Sequence, residues 1–233
     1  MRPAVESARY ARVVVIIPAL NEEQSLPLVL AALPPVGHVL VVDNGSTDRT
    51  AEVAARAGAR VLSQPERGYG NACLKGIAEA HALGASVIVI LDADFSDHPD
   101  ELPLLVEPVL DGRADMVLGD RTRHAEPGAL LPHQRFGNAL ATLLIFAVTG
   151  HRYRDMGPFR AIRAGALAEL QMRDPTWGWN VEMQIKAIKL GLRVIEVPVR
   201  YRKRAEGESK ISGTIRGSIA AGLKIITAVR TYA

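Results

Sequence analysis

The stretch SVIVILDADFSDHPD, residues 86–100, joins an apolar run to an acidic turn. Val87–Ile90 is apolar and rich in β-branched residues, which is typical of a buried strand. Five acidic side chains follow at once, at Asp92, Asp94, Asp97, Asp100 and Glu101. These charges repel one another unless a positive group belongs among them. The stretch therefore predicts a strand that ends at a functional site.

The first half of the chain repeats this strand-and-turn pattern. Apolar strands are predicted at residues 12–17, 38–43, 59–64 and 86–92, with helical patterns between them at 22–32, 46–58 and 69–83. This alternation predicts an α/β fold with a mostly parallel sheet and helices on both faces. Ligands bind beyond the carboxyl ends of such strands. We expect PALNEE, VDNGSTD, QPERGYG and DADFSD, which all follow strands, to meet there.

The second half is less regular. Strands are predicted at 115–121 and 193–201, and helices at 100–111, 132–149, 162–171 and 179–190. Pro198 would place its strand at a sheet edge or a bulge. For helix 46–58 we predict Ser46 or Thr47 as the N-cap. Asp97 and Asp100 are interpreted as caps of the helix that starts near Pro99.

Composition limits the class of protein. The chain has 233 residues, 48% apolar and 23% charged, which suits one globular domain with a substantial core. Its single cysteine, Cys73, excludes an internal disulfide and fits a reducing compartment. Neither a secretory signal nor an apolar run of about 18 residues is evident. We therefore expect a cytoplasmic protein.

Charge is distributed unevenly along the chain. Residues 1–116 hold nine Lys/Arg against sixteen Asp/Glu, whereas residues 117–233 hold nineteen against nine. The first half is thus suited to a cation, and the second to phosphates or an anionic surface. Nucleic acid is not expected as a partner, because the basic segment 200–204 offers no stacking aromatic besides Tyr201.

Three kinds of site use an acidic turn of this type. A calcium loop of the EF-hand kind requires Gly at 97 and Glu at 103, but the chain has Asp97 and Pro103. A haloacid-dehalogenase-like phosphatase normally opens its domain with Asp-x-Asp, and it stays a remote alternative here. Two carboxylates on a short turn hold Mg²⁺ or Mn²⁺ and leave positions for a diphosphate. We favour this metal–diphosphate interpretation.

Six segments together resemble a known family. In order they are IPALNEE (17–23), VVDNGSTDRT (41–50), LDADFSDHP (91–99), GDR (119–121), RDMGPFRAI (154–162) and GESKISG (207–213). The set resembles family 2 glycosyltransferases of the Rossmann-like GT-A fold, and within them the dolichyl-phosphate mannose synthases and bacterial polyprenyl-phosphate glycosyltransferases. The resemblance spans about residues 12–215.

The resemblance implies a division of the chain. Residues 12–211 would form the catalytic domain, with a nucleotide-sugar-binding half (12–120) and an acceptor half (121–211). Residues 1–11 would be an N-terminal extension, and residues 212–233 an amphipathic C-terminal helix.

The resemblance also implies roles at the donor site. The nucleotide-sugar would be bound by Pro18, Ala19, Asn21, Glu22, Asp43, Gly68, Asn71, Asp92 and Ala93, with the glycines at 68 and 70 letting the backbone approach closely. Asp92 and Asp94 would hold the metal, Mg²⁺ or Mn²⁺, with Asp94 the direct ligand. Ser96 stands where some mannose synthases carry a glutamine ligand, so the third ligand is open.

The reaction implied is inverting transfer of a hexose from a UDP-glucose- or GDP-mannose-type donor. Asp94, Arg121 and Glu182 are the candidate catalytic residues. With a polyprenyl phosphate as acceptor no base is needed, and the acceptor or donor phosphates would be bound by Arg121, Arg135, Arg202, Ser209 and Lys210. With a hydroxyl acceptor Glu182 would be the base. Glu182 is explained equally well as a base, or as a polar helix residue or an arginine ligand. Lys203 and Arg204 are explained equally well as phosphate ligands or as solvated charges.

Further residues keep two interpretations. Trp177 and Trp179 would wall the sugar site or pack in the core, and His133 would begin a helix without chemistry. In Ser212–Ala233 the cations Arg216, Lys224 and Arg230 share one sector, largely opposite Ile215, Ile225, Ile226 and Val229. This pattern fits a helix lying at the inner face of the membrane or packing on the domain. A homo-oligomer and a separate membrane-anchor partner stay open.

Overall fold

Seven strands form one sheet in the computed structural model, which describes residues 8–204 and 215–233. The strands are β1 (Val13–Ala19), β2 (His38–Asp43), β3 (Arg60–Ser63), β4 (Val87–Ile90), β5 (Met116–Ala125), β6 (Arg160–Arg163) and β7 (Val194–Tyr201). Their order across the sheet is β3-β2-β1-β4-β6-β5-β7.

Strand direction places the polar loops on one edge. β6 pairs antiparallel with both β4 and β5, and the other neighbouring pairs are parallel. The carboxyl ends of six strands therefore share one edge with the amino end of β6. The predicted mostly parallel α/β sheet is confirmed.

Helices cover both faces of this sheet. They are α1 (Leu26–Ala32), α2 (Thr50–Arg56), α3 (Tyr69–Ala82), α4 (Leu102–Leu110, after a 3₁₀ turn at Pro99–Glu101), α5 (Pro132–Thr149), α6 (Ala164–Leu170), α7 (Trp179–Lys189) and α8 (Ile215–Tyr232). In β1, Val14 and Ile16 belong to the core under α3, and Val13, Val15 and Ile17 to the core under α1 and α4. Burial on both faces explains why β1 is continuously apolar. Among the described residues, no helix is long and apolar enough to cross a membrane.

Two predicted elements differ from the structure. Residues 160–163 form β6 before the helix that was predicted over 162–171, because the four residues RAIR fit a strand between β4 and β5 as well as a helical turn. Helix α2 begins at Thr50 rather than near Ser46. Asp48 accepts a hydrogen bond from the Thr50 N–H at 2.9 Å, so the proposed caps Ser46 and Thr47 were wrong.

The remaining differences concern strand and chain ends. β7 is an edge strand, as Pro198 predicted, and its pairing with β5 is irregular between Asp120 and His124. Tyr10, inside the predicted N-terminal extension, is buried, and its hydroxyl donates to Glu107 of α4 at 2.5 Å. The described end of that extension is thus packed on the domain.

Candidate active site

The first two loops of the carboxyl edge are joined by hydrogen bonds. The Asn21 side chain accepts from the Thr47 N–H at 2.8 Å, and the Asn21 N–H donates to Ser46 Oγ at 2.9 Å. Asp43, the last residue of β2, accepts from the Ser46 N–H at 3.1 Å. Asn21 has a positive φ of 52°, a conformation that asparagine tolerates. The predicted donor-site residues of β1 and β2 are therefore held next to one another.

Asn44, which sequence reasoning did not single out, fixes the third loop. Its amide donates to the Gln64 and Glu66 carbonyls, at 2.9 and 2.7 Å, and accepts from the Gly68 N–H at 2.8 Å. Its position directly after Asp43 in the NGSTD segment was the available signal.

Gly68 and Gly70 allow another segment of the same chain, around residue 175, to approach their backbone closely. A Cβ at Gly70 would lie 1.8 Å from the Asp174 carbonyl oxygen, and one at Gly68 would lie 2.2 Å from that of Pro175. The Asn71 N–H donates to Pro175 at 3.0 Å. The segment around residue 175 therefore packs directly against this turn.

The acidic turn after β4 is tightly organised. Asp94 Oδ1 accepts from the Ser96 N–H at 2.9 Å and from Ser96 Oγ at 2.5 Å, while Phe95 between them has a φ of 60°. A positive φ is costly for a bulky residue, so the turn is held by its surroundings. Ser96 thus orients Asp94.

The pKa values of two carboxylates in this turn, Asp92 and Asp97, are raised. Burial and the negative charge of Asp94 raise the pKa of Asp92 to about 7, although Arg121, Arg204 and Arg160 partly lower it. Asp97 is buried, and neither of its carboxylate oxygens has a hydrogen-bond partner among the described residues. Burial and the charge of Asp92 raise its pKa well above the ordinary value.

The capping roles expected for two acids were wrong. Asp97 lies inside the protein and makes no helix-cap hydrogen bond, since the 3₁₀ turn starts after His98. Asp100 is exposed and pairs with Arg200 at 2.5 Å. Asp97 belongs to the site, and Asp100 to the surface.

The turn fits a divalent cation with a small protein ligand set. No three His, Cys, Asp or Glu side chains of the described residues lie close enough together to hold a metal by themselves. Asp92 and Asp94 lie close enough for the Asp94 charge to raise the pKa of Asp92, and a cation at this pair would take its other ligands from water and diphosphate oxygens.

Arg204 spans the donor-site loops. Its Nη1 lies 3.0 Å from Glu22 Oε1, and its Nη2 lies 3.0 Å from Asp94 Oδ2. The second Glu22 oxygen accepts from Ser25 Oγ at 2.6 Å. Arg204, which we had weighed as a solvated charge, thus contacts the predicted metal ligand and a predicted donor residue.

Arg121 is fixed by a carboxylate that sequence reasoning missed. Its Nε and Nη2 donate to the two oxygens of Asp155, at 2.8 and 2.9 Å, and its guanidinium lies 4.9 Å from the Tyr201 ring centroid. Burial raises the pKa of Asp155, but Arg121 outweighs it and lowers that pKa below its ordinary value. The pair holds Arg121 in the part of β5 where its pairing with β7 is irregular. Asp155 lies in RDMGPF, a segment used only for the resemblance.

Arg202 packs on the acidic turn, whereas Arg135 lies on α5. Its guanidinium lies 3.8 Å from the Phe95 ring centroid, and its N–H donates to the Ser96 carbonyl at 2.9 Å. Arg135 is exposed on α5 and donates to the Leu130 carbonyl at 3.2 Å. Ser209 and Lys210 lie outside the described residues.

Glu182 is buried and engaged on both oxygens. It accepts from the N–H groups of Arg173 and Asp174, at 2.9 and 2.7 Å, and from Lys186 Nζ at 2.6 Å. This arrangement matches the interpretation of Glu182 as a polar helix residue better than that of a base.

Of the two tryptophans, Trp179 packs in the core and Trp177 lies partly at the surface. Trp179 is fully buried in the core, whereas Trp177 is 46% exposed and stacks on Tyr69 with centroids 6.1 Å apart. His133 lies in the first turn of α5, as predicted.

Arg160 of β6 is a third residue that the sequence did not reveal. It is fully buried and donates to backbone carbonyls, those of Gly157 and Pro158. Burial lowers its pKa, and its positive charge acts on Asp92. It supplies positive charge beneath the acidic turn.

This fold and edge define a glycosyltransferase of the GT-A fold. The chain belongs to glycosyl transferase family 2, whose family model matches residues 14–171. It is therefore a glycosyltransferase.

Two curated relatives cover nearly the whole chain. A glycosyltransferase of Mycobacterium tuberculosis without an assigned substrate is 42% identical over 213 residues, 90% of this chain and 94% of its own length. An undecaprenyl-phosphate mannosyltransferase of Micrococcus luteus is 34% identical over 223 residues, 88% of this chain and 90% of its own.

Among solved structures, glucosyl-3-phosphoglycerate synthase from Mycobacterium tuberculosis, in complex with Mn²⁺, UDP and its product, has the same fold. The TM-score is 0.73 at 23% identity, over 97% of this chain and 82% of that one.

Proposed function

We propose that this enzyme transfers a hexose from a nucleotide-diphospho-sugar to a polyprenyl phosphate at the inner face of the cell membrane. A lipid-phosphate oxygen would attack the anomeric carbon in line, the bond to the diphosphate would break, and the nucleoside diphosphate would leave with the electron pair. The attacking phosphate is already an anion, so no proton has to be removed. The product would have inverted anomeric configuration.

The donor would bind at the loops of β1, β2 and β4. Asp92 and Asp94 would hold a divalent cation, Mg²⁺ or Mn²⁺, that neutralises the charge developing on the leaving diphosphate. Ser96 would keep Asp94 in position, because its hydroxyl donates to Oδ1. The other oxygen of Asp94, Oδ2, contacts Arg204. The solved structure with Mn²⁺ and UDP supports this class of donor and cofactor.

The observation that carries the acceptor proposal is that the predicted base, Glu182, is occupied by hydrogen-bond donors, whereas two arginines lie beside the acidic turn. Arg121 and Arg202 stand at the described edge, and both oxygens of Glu182 are already engaged by donors. Such a site suits an acceptor that needs charge neutralisation and no deprotonation. Similarity to the undecaprenyl-phosphate mannosyltransferase supports the same acceptor class.

A surface suited to a membrane lies along α5. Phe136 and Leu143, seven residues apart on one face of the helix, are 71% and 62% exposed. Helix α5 contains no acidic residue, and Ile226 of the adjoining α8 is also exposed. An exposed apolar face on helices without acidic side chains fits a phospholipid surface. We infer that this face holds the enzyme where its lipid acceptor is presented.

A hydroxyl acceptor is the rival, because the solved structural neighbour is named for glucosyl-3-phosphoglycerate. Both classes are tested together by offering purified protein radiolabelled UDP-glucose or GDP-mannose with Mn²⁺ and either undecaprenyl phosphate or phosphoglyceric acid. We expect label to enter the organic phase only with the lipid. Label that appears solely in a water-soluble glycoside would overturn the lipid-phosphate proposal and leave the glycosyltransferase assignment intact.

A further inference from the structure

Arg204 makes a two-armed contact inside the donor site. One arm of its guanidinium reaches Glu22 and the other reaches Asp94, each at 3.0 Å. The side chains of Glu22 and Asp94 are 8% and 12% exposed, against 27% for Arg204. These carboxylates come from different loops, after β1 and after β4. Arg204 therefore joins two parts of the site that are 72 positions apart in sequence.

The backbone before Arg204 is anchored to the acidic turn. Tyr201 forms a bridge with Asp97, the Arg202 N–H donates to the Ser96 carbonyl, and the Arg202 guanidinium stacks on Phe95. These contacts fix the start of the Arg204 side chain beside Asp94. A change of its contacts is thus a side-chain movement, with the anchor at residues 201–202 kept.

The contact to Asp94 competes with the proposed use of that carboxylate. Ser96 occupies Oδ1 through two hydrogen bonds, and Arg204 occupies Oδ2. A divalent cation at Oδ2 would repel the guanidinium whose Nη2 lies 3.0 Å from that oxygen, so cation binding there favours departure of Arg204 from Asp94.

We propose that Arg204 is the internal counter-ion of the donor site, which holds Asp94 and Glu22 together in the free protein and is exchanged from Asp94 when a divalent cation binds. This inference rests on the proposed metal role of Asp94. Arg204 neutralises two carboxylates that would otherwise repel each other in a half-buried site. After exchange its guanidinium remains on its anchored backbone, within reach of Glu22.

Metal affinity without any donor tests the exchange. Mn²⁺ binding is measured by the loss of the electron paramagnetic resonance signal of free Mn²⁺, for the wild type and for Arg204→Met. We expect the variant to bind Mn²⁺ about tenfold more tightly, as follows if the arginine occupies Asp94 in about nine-tenths of free molecules. Arg204→Lys, which keeps the charge without the planar fork, should fall between the two.

Two control variants separate the possible failures. Lys203→Met removes an exposed neighbouring charge and should leave Mn²⁺ affinity unchanged. Asp94→Asn should abolish Mn²⁺ binding. If Asp94→Asn abolishes it while Arg204→Met binds no more tightly than the wild type, the exchange is wrong and the metal site stands. If Asp94→Asn binds like the wild type, the proposed metal site itself is wrong.

A measurement on the wild type guards against a variant that fails to fold. Phenylglyoxal labelling of Arg204, mapped by mass spectrometry, should increase when Mn²⁺ is added, while labelling of exposed Arg123 stays constant. Equal labelling of Arg204 with and without bound Mn²⁺ would contradict the exchange.

Discussion

Two backbone N–H groups and a lysine hold the Glu182 carboxylate, and this arrangement predicts what its replacement does. In Glu182→Gln one oxygen becomes an NH₂ group that faces other donors. We expect the free energy of unfolding to fall by about 1–3 kcal/mol, with turnover per folded molecule nearly unchanged. Denaturant unfolding and activity with polyprenyl phosphate measure both. A loss of turnover of about a hundredfold or more in folded protein would instead identify Glu182 as the base.

Asp155 is buried against Arg121, and its replacement should lower the free energy of unfolding. Asp155→Asn leaves a poorly exposed guanidinium without its carboxylate, which costs about 3–5 kcal/mol. Because Arg121 lowers the pKa of Asp155, its contribution is complete above the ordinary aspartate pKa of about 4 and is lost as pH falls below it. The stability gap between wild type and variant should therefore narrow below about pH 4. Asp111→Asn, at an exposed ion pair, should change stability little at any pH.

The close approach of helix α3 to the segment around residue 175 makes a prediction at the scale of elements. A Cβ at Gly70 would meet the Asp174 carbonyl oxygen at 1.8 Å, and backbone atoms must shift to admit it. We expect Gly70→Ala to destabilise the fold by about 1–3 kcal/mol. Gly137→Ala in α5 meets no atom within 4 Å and should be neutral or stabilising by up to about 1 kcal/mol. Equal melting temperatures for the two variants would contradict the packing described.

Helix α5 makes the second prediction at this scale. The double change Phe136→Ser and Leu143→Ser should weaken flotation with vesicles that contain phosphatidylglycerol by about tenfold, because two exposed apolar side chains no longer enter the bilayer. Leu104→Ser on α4 removes a similarly exposed side chain from the opposite face of the sheet and should leave flotation unchanged. If both proteins float equally well, α5 is not the membrane-docking face.

The sequence predicted the elements that carry a strong local signal. Continuous apolar runs identified the strands that end at Ala19, Asp43 and Ile90, and the edge they share followed from parallel pairing. β6 was missed because a strand of four residues carries too little periodicity. Its place between β4 and β5 is decided by tertiary packing, which no local pattern records.

At the scale of the whole molecule, the site depends on segments far apart in sequence. Asp92 and Asp94 were predicted from their turn, but Arg160 and Asp155 reach the site only through β6 and the loop before it. The burial that separates Asp97 from Asp100 is likewise a property of the folded chain, since both look alike as acids next to a helix start. The residues of the acidic turn could be predicted from the sequence, whereas the roles of Arg160 and Asp155 could not.

The proposed reaction depends on the acidic turn binding a divalent metal ion together with the diphosphate of the donor. Asp94 and Asp100 offer a matched pair of changes in one turn, since Asp94 contacts Arg204 and Asp100 pairs with Arg200 at the surface. Calorimetric binding of UDP and GDP, with and without Mn²⁺, tests the claim most directly. We predict that Mn²⁺ strengthens the binding of one nucleotide to the wild type and to Asp100→Asn. In Asp94→Asn we expect this Mn²⁺-dependent gain in affinity to be smaller by about a hundredfold or more. An Asp94→Asn protein that keeps the Mn²⁺-dependent increment would contradict the account.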